Sequence, residues 1–201
     1  MIYLISGKKG SGKDTVADYI KKRKGLPRLS FASPIKDITK NILGVKDSFF
    51  SQEGKEKKLV RIFKYVAASS FDDHCIDTSQ YTTLSPREIL QSLGQYMREE
   101  VSENFWVGLL LNKVDKENIK EFTISDVRYK NEIEELIENF GKQVVTIRVE
   151  RNTKLNKYSK HISEVDLDEY EFNHIIKNNG TYEDLYIQID RILLQYEKGE
   201  K

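Results

Sequence analysis

Near its start the chain carries Gly7, Gly12 and Lys13 within SGKKGSGKDTVAD, residues 6–18. The spacing is that of a phosphate-binding loop, G-x-x-x-x-G-K-[ST], with Gly10 and Ser11 inside it. In such a loop successive backbone N–H groups form an anion-binding concavity, and the helix that follows adds a partial positive charge. Lys13 would reach the outer phosphates of a nucleotide. One position departs from the pattern. Asp14 stands where a magnesium-coordinating hydroxyl is usual, and the hydroxyl comes one residue later, at Thr15. The flanks supply the context that the motif needs. Ile2 to Ile5 is an apolar run long enough for one buried strand, and Lys13 to Lys22 reads as a helix with Val16, Ala17 and Ile20 at helical spacing.

Other residues could share such a site. Asp126 closes the strand-like run EFTIS (121–125), where a carboxylate could hold a magnesium ion or its waters. The plainer role for an Asp there is a helix N-cap, and one residue could serve both. Arg128 presents a permanently charged fork that matches a phosphate face, and a cation at a helix start calls for an anion nearby. Arg87, Gln91, Gly94 and Arg98 lie on one helical stretch. Gln91, Gly94 and Arg98 share a face of it, which could meet a base and a phosphate or simply face water. Trp106 is a core residue by default. Arg148, Arg151, Lys154, Lys157, Lys160 and His161 stud a polar segment, and Arg151 could close over phosphates as part of a lid. Arg148 is the weaker candidate because it lies within a strand. His161 has no second ligand at metal spacing, and adjacent His74 and Cys75 lack partners, so no zinc site is expected.

The elements that must position these residues alternate. Strands are expected near 2–5, 28–32, 121–125, 143–149 and 172–177. Helices are expected at 13–22, from Ser33-Pro34 to Leu43, over 55–68, from Ser85-Pro86 through Met97, and at 105–114, 131–140 and 182–196. Ser69 to Thr83 reads as a surface excursion. Alternating strands and helices imply an α/β fold in three layers, a parallel sheet of about five strands with helices on both faces. In such sheets ligands lie beyond the carboxyl ends of the strands. That rule gathers the loop, Asp126, Arg128, Arg151 and the Asn178–Gly180 turn into one place.

Composition narrows the partners. The chain has 201 residues, with 33 Lys and Arg against 32 Asp and Glu, so it lacks the basic excess of a nucleic-acid footprint. No apolar run reaches the ~18 residues of a membrane span. The start MIYLIS is too short and uncharged for a signal peptide. The lone Cys75 excludes an intramolecular disulfide and suits a reduced, cytoplasmic setting. One domain over 1–201 is expected, with a variable insert at about 45–84 and a lid at about 150–168. A homodimer is left open.

With these residues in place the chain resembles the bacteriophage deoxynucleoside monophosphate kinases, within the P-loop nucleoside monophosphate kinases. The resemblance is carried by SGKKGSGKDTVAD (6–18), FASPIKD (31–37), SPREILQSLG (85–94) with Trp106 downstream, and ISDVRYKNE (124–132). HISE (161–164) and IIKNNGT (175–181) add to it. In that family GKDT is the ordinary form of the loop, so Asp14 is expected. The resemblance implies that Lys9, Gly12, Lys13, Asp14 and Thr15 contact ATP. It also implies that Arg87, Gln91, Gly94, Trp106, Asp126, Arg128 and Glu132 surround the monophosphate and the reacting phosphates. Lys57, Lys58 and Arg61 are candidates for a further basic contact. The activity implied is magnesium-dependent transfer of the γ-phosphoryl of ATP to a deoxynucleoside monophosphate. The rivals are another P-loop small-molecule phosphate kinase, of the phosphomevalonate kinase kind, and a nucleotide-binding regulator without catalysis.

Overall fold

The computed structural model describes residues 1–51, 60–63, 81–152 and 165–197. In chain order the elements are β1 (Ile2–Ser6), α1 (Lys13–Lys24), β2 (Arg28–Leu29), α2 (Ala32–Leu43), β3 (Val60–Phe63) and β4 (Tyr81–Leu84). They continue with α3 (Pro86–Glu100), α4 (Phe105–Lys116), β5 (Phe122–Ile124), α5 (Lys130–Phe140), β6 (Val144–Glu150), β7 (His174–Lys177) and α6 (Tyr182–Glu197). Contacts divide the chain into two compact units, one of Met1–Ser33 with Glu103–Lys201 and the other of Pro34–Ser102.

The first unit is built on a five-stranded parallel sheet in the order β2-β5-β1-β6-β7. The all-parallel α/β architecture expected from the strand–helix alternation is therefore present. Because β1 is central, its residues are covered on both faces, and each of Ile2 to Ser6 is at most 2 % exposed. The register explains how an unbroken apolar strand serves two cores. Tyr3 and Ile5 lie beside Val145 and Ile147 of β6 and pack with Val16, Ala17 and Ile20 of α1 and Leu185 and Ile189 of α6. Ile2 and Leu4 lie beside Phe122 and Ile124 of β5 on the opposite face. Helix α5 buries Ile133 and Leu136, and α4 buries Trp106, Val107, Leu110 and Val114.

The second unit contains the rest of α2, a 3₁₀ turn at Asp47–Phe50, an antiparallel hairpin and α3. The hairpin pairs Val60 with Leu84 and Phe63 with Tyr81. The helix expected over 55–68 is thus wrong where it is described: Val60–Phe63 is a strand, and its ladder to β4 overrides the weak helical periodicity. The remainder of that expected helix, with Lys57 and Lys58, lies outside the described residues. So does most of the 45–84 insert, and so do 153–164 of the expected lid. The opening of α3 follows the sequence signal. Pro86 is at its start, Glu88 N donates to Ser85 Oγ (3.3 Å), and Ser85 N donates to Glu88 Oε2 (2.7 Å). The Ser85 backbone N–H, together with the Ser85 hydroxyl that also donates to Oε2 (2.7 Å), holds the Glu88 carboxyl below its usual pKa.

The expected start of α2 needs correction. The helix begins at Ala32, so Ser33 is not its cap and Pro34 is already inside the first turn. The caps come from elsewhere: Ala32 N donates to Ser30 Oγ (3.1 Å) and to Asp126 Oδ2 (2.9 Å). A side chain distant in sequence has replaced the local signal. Among the described residues no helix is long and apolar enough to cross a membrane.

At the amino end of the outer strand β7, His174 Nε2 lies 2.9 Å from the Tyr196 hydroxyl of α6. Burial pushes the His174 pKa below its ordinary value. The unfolded chain therefore takes up the proton first as pH falls, and folding stability is lost progressively below about pH 6.5. Replacing His174 by Gln should make stability less sensitive to pH in that window. Urea midpoints at pH 5 and pH 7.5 should fall further apart for the wild type than for H174Q.

Candidate active site

The turn between β1 and α1 is a tight backbone cradle. Ser11 N donates to Lys8 O (3.0 Å), and the chain reverses through left-handed residues at Gly10 (φ 78°) and Gly12 (φ 98°). At Gly12 the conformation and the space agree, since a Cβ there would run into the Asn178 side-chain amide. Gly7 is constrained by space alone: a Cβ would lie 2.6 Å from the Val149 carbonyl oxygen and would also meet Ser11 Oγ. Ser11 is 1 % exposed, and its hydroxyl is buried with no hydrogen-bond partner. A buried, unpartnered hydroxyl in a glycine-rich turn at a helix N-terminus is a donor that a phosphate would satisfy. The donor set thus fits a nucleotide's phosphate chain.

The last strand braces this cradle. Asn178 follows β7, and its Nδ2 donates to Ser11 O (2.8 Å) while its backbone N donates to Glu150 O (2.8 Å). Gly180 then passes tightly over Asp184, whose Oδ2 accepts from Thr181 N and Thr181 Oγ1, both at 2.9 Å. Those bonds hold Asp184 below its usual pKa and fix the start of α6. Asn178 therefore acts on the loop rather than standing beside it.

Asp14 is fastened as well. It is ion-paired with Arg28 and accepts from Ser125 Oγ (3.1 Å), and Arg28 Nη1 also reaches Asp18 (3.0 Å). The carboxylate that displaces the usual hydroxyl ties the start of α1 to β2 and to the end of β5. Lys13 and Thr15 sit half-buried on either side of it.

Asp126 follows β5. Its Oδ2 accepts from Ser30 Oγ (2.7 Å) and Ala32 N (2.9 Å), and its Oδ1 accepts from Phe31 N (3.2 Å). Three of the four lone-pair sites of a carboxylate are thus used by the β2–α2 junction, which leaves one on Oδ1. The capping role weighed from sequence is real, although the helix capped is α2 rather than α5. Glu132 is 1 % exposed, and its Oε2 accepts from Arg128 N (2.8 Å) and Tyr129 N (3.2 Å). It fixes the turn that carries Asp126 and Arg128. Arg128 lines a small recess with Gly7, Lys8 and Arg148. A larger neighbouring recess is lined by Lys8, Ser11, Arg148, Arg151, Tyr170 and Phe172.

Of the acceptor-side residues expected from sequence, Trp106 is fully buried, edge-on to Phe105 with centroids 4.9 Å apart. Arg87, Gln91, Gly94 and Arg98 lie on α3, in the second unit. Gly94 is buried, and a Cβ there would meet Ile35 of α2 at 3.5 Å. Two residues of the loop region drew no attention in the sequence. Lys8 and Asp168 form a 2.8 Å ion pair, and Asp168 also binds Arg148 at 2.7 Å. The signal was there in part: Arg148 is a charge within a strand whose neighbours are buried, and such a charge needs a partner.

A phosphate loop after the central strand of a parallel sheet, flanked by helices, defines a P-loop kinase fold. A dephospho-CoA kinase from Campylobacter jejuni superposes over 100 % of this chain and 98 % of its own with a TM-score of 0.52, at 17 % identity. The chain belongs to the deoxynucleotide monophosphate kinase family, whose pattern matches residues 1–48 and 38–189. It is 28 % identical over 200 residues to a protein of Acanthamoeba polyphaga mimivirus that carries the same family name, covering 92 % of each chain. It is 30 % identical over 176 residues to a deoxynucleoside-5'-monophosphate kinase of Escherichia phage T5, covering 67 % of this chain and 70 % of that one. The protein is accordingly a kinase, a transferase that uses nucleotides.

Because Asp126 satisfies three donors at a chain junction, its loss should be felt without any ligand. Asp126→Ala should destabilise the ligand-free protein by about 2 kcal/mol, the scale of hydrogen bonds to a charged group. Asp126→Asn should cost less, since an amide retains one acceptor oxygen. Urea denaturation of the three proteins measures both steps.

Proposed function

We propose that the protein transfers the γ-phosphoryl group of ATP to a deoxynucleoside monophosphate, giving a deoxynucleoside diphosphate and ADP. The observation that supports this most is the cradle itself. It carries left-handed glycines and an orphaned Ser11 hydroxyl, and its Gly7 and Lys8 share a recess with Val127 and Arg128, in a chain of this family.

A phosphate oxygen of the acceptor attacks the γ-phosphorus while the bond to the β–γ bridging oxygen breaks, and ADP leaves with that electron pair. The attacking oxygen is already an anion near neutral pH, so no general base is required. The protein's work is alignment and charge neutralisation. In this reading the residues from Gly7 to Thr15, including Lys9, Gly10, Ser11 and Asp14, hold the ATP phosphates through backbone N–H groups and Lys13. Asn178 and Gly180 support the loop from the β7 end. Arg128 faces the acceptor phosphate, and Arg151 approaches the transferring group. Arg87, Gln91, Gly94 and Trp106 serve the monophosphate, an assignment that rests on the family motifs. Glu132 acts through the turn it holds.

Magnesium fits the same set. Mg²⁺ usually takes one or two protein oxygens and completes its shell with phosphates and waters, so a full protein cage is not needed. Thr15 and the remaining lone pair of Asp126 would hold it or its waters. When bound, it would neutralise charge between the β- and γ-phosphates.

The reading is tested by ADP release across the common nucleoside monophosphates, with dTMP and dGMP tried first. ADP formation that ignores added monophosphate would overturn it. Lys13→Ala should lower turnover by about a hundredfold or more, the effect of losing one electrostatic stabiliser, with little change in thermal stability. Arg128→Lys keeps the charge and loses the fork. It should raise the Michaelis constant for the monophosphate by an amount equivalent to about 2 kcal/mol and barely move that for ATP. Initial-rate measurements with each substrate varied in turn separate the two constants.

A further inference from the structure

Arg148 lies in β6 between Ile147 and Val149, both buried, and its own side chain is only 12 % exposed. Its guanidinium is held from three sides. Nη1 donates to Ser6 Oγ (3.2 Å), Nη2 donates to Asp168 Oδ1 (2.7 Å), and Cζ lies 5.7 Å from the centre of the Phe172 ring. The other oxygen of Asp168 accepts from Lys8 Nζ at 2.8 Å. One carboxylate therefore bridges a cation of the phosphate loop and a cation of the sheet. Both cations line the two recesses beside the loop, and Arg128 lines one of them.

We infer that Arg148 is a further phosphate-binding residue of this site, and that Asp168 is an internal anion which a ligand phosphate displaces from Arg148 and Lys8. The inference rests on the nucleotide-kinase reading above. Two observations give it direction. Arg148 has two holds besides Asp168, its bond to Ser6 and its contact with Phe172, so its aim does not rest on that carboxylate alone. Asp168 and Lys8, by contrast, are 36 % and 32 % exposed, and ion pairs so open to solvent are weak enough for a ligand to replace. A phosphate offers more charge and more oxygens than a carboxylate, and it can take the guanidinium edge and the ammonium group together. A permanent staple would behave in the opposite way: if Asp168 were needed to aim the two cations, its removal would weaken anion binding.

The sign of one change therefore decides the matter. Inorganic tripolyphosphate and ATP are titrated separately into the full chain by calorimetry, without monophosphate. The wild type should bind both. Asp168→Asn should bind each about two- to fivefold more tightly, the gain from removing a weak internal competitor. Glu169→Gln removes the same charge one exposed residue further on and should change binding far less. Arg148→Gln should weaken binding and should abolish most of the Asp168→Asn gain when the two are combined. Arg148→Lys, which retains the charge, should fall between Arg148→Gln and the wild type and guards against a folding defect. Unchanged or weaker binding by Asp168→Asn overturns the inference, and so does an equal gain in Glu169→Gln. If the wild type binds no ATP, the kinase reading fails as well; if it binds ATP and Asp168→Asn gains nothing, only this inference fails.

Discussion

The two backbone reversals at Gly10 and Gly12 are the constraint on which the rest of the site depends. A phosphate loop that turns N–H groups inward must pass through conformations that side chains resist, as this one does at Gly10 and Gly12. The surrounding structure fixes it from outside. β1 arrives fully buried at the centre of the sheet, α1 leaves with its apolar face in the same core, and Asn178 reaches across from beyond β7 to take the Ser11 carbonyl. The cradle is thus held rigid by sheet packing on one side and by a single side-chain amide on the other. Preorganisation of this kind is what allows fixed dipoles to act on a phosphate without rearranging.

Carboxylates at the same end of the sheet do work that the cations alone could not. Asp14 joins α1 to β2 through Arg28, Asp126 caps α2, Glu132 shapes the turn before α5, and Asp168 spans Lys8 and Arg148. Each meets a backbone N–H or a cation at that end of the sheet. A site built to take a highly charged ligand would repel itself when empty if its positive groups stood alone. The acidic residues near the loop temper that repulsion and at the same time connect elements that are far apart in sequence.

Much of this was legible before any coordinates. The apolar run Ile2 to Ile5, the glycines and the helical spacing of Val16, Ala17 and Ile20 state the strand–loop–helix unit locally, and QVVTIRV states β6. Long periodic segments carry their own evidence. What could not be read was anything settled by a distant partner. Asp126 offers an N-cap signal, but nothing nearby says that it caps α2 across the β2–α2 junction. The start of α2 was misplaced for the same reason, because Ser33-Pro34 resembles a local helix opening. Val60–Phe63 was read as helical because a strand of four residues has too little periodicity of its own, and only its pairing with β4 defines it. Trp106 shows the limit of the local reading: it was expected in the core by default, and its ring is fully buried.

The bond from Asn178 to Ser11 joins residues 167 positions apart. Its consequence concerns the order of events during synthesis. β1 is made before both of its neighbours in the sheet, β5 and β6, so its two edges wait for segments that emerge more than a hundred residues later. The loop waits longer still, until the turn after β7 has left the ribosome. A nascent chain stopped before that turn would hold a complete glycine-rich motif without the brace that shapes it. The brace on the loop is therefore acquired only after β7 has been made, long after the glycine-rich motif itself.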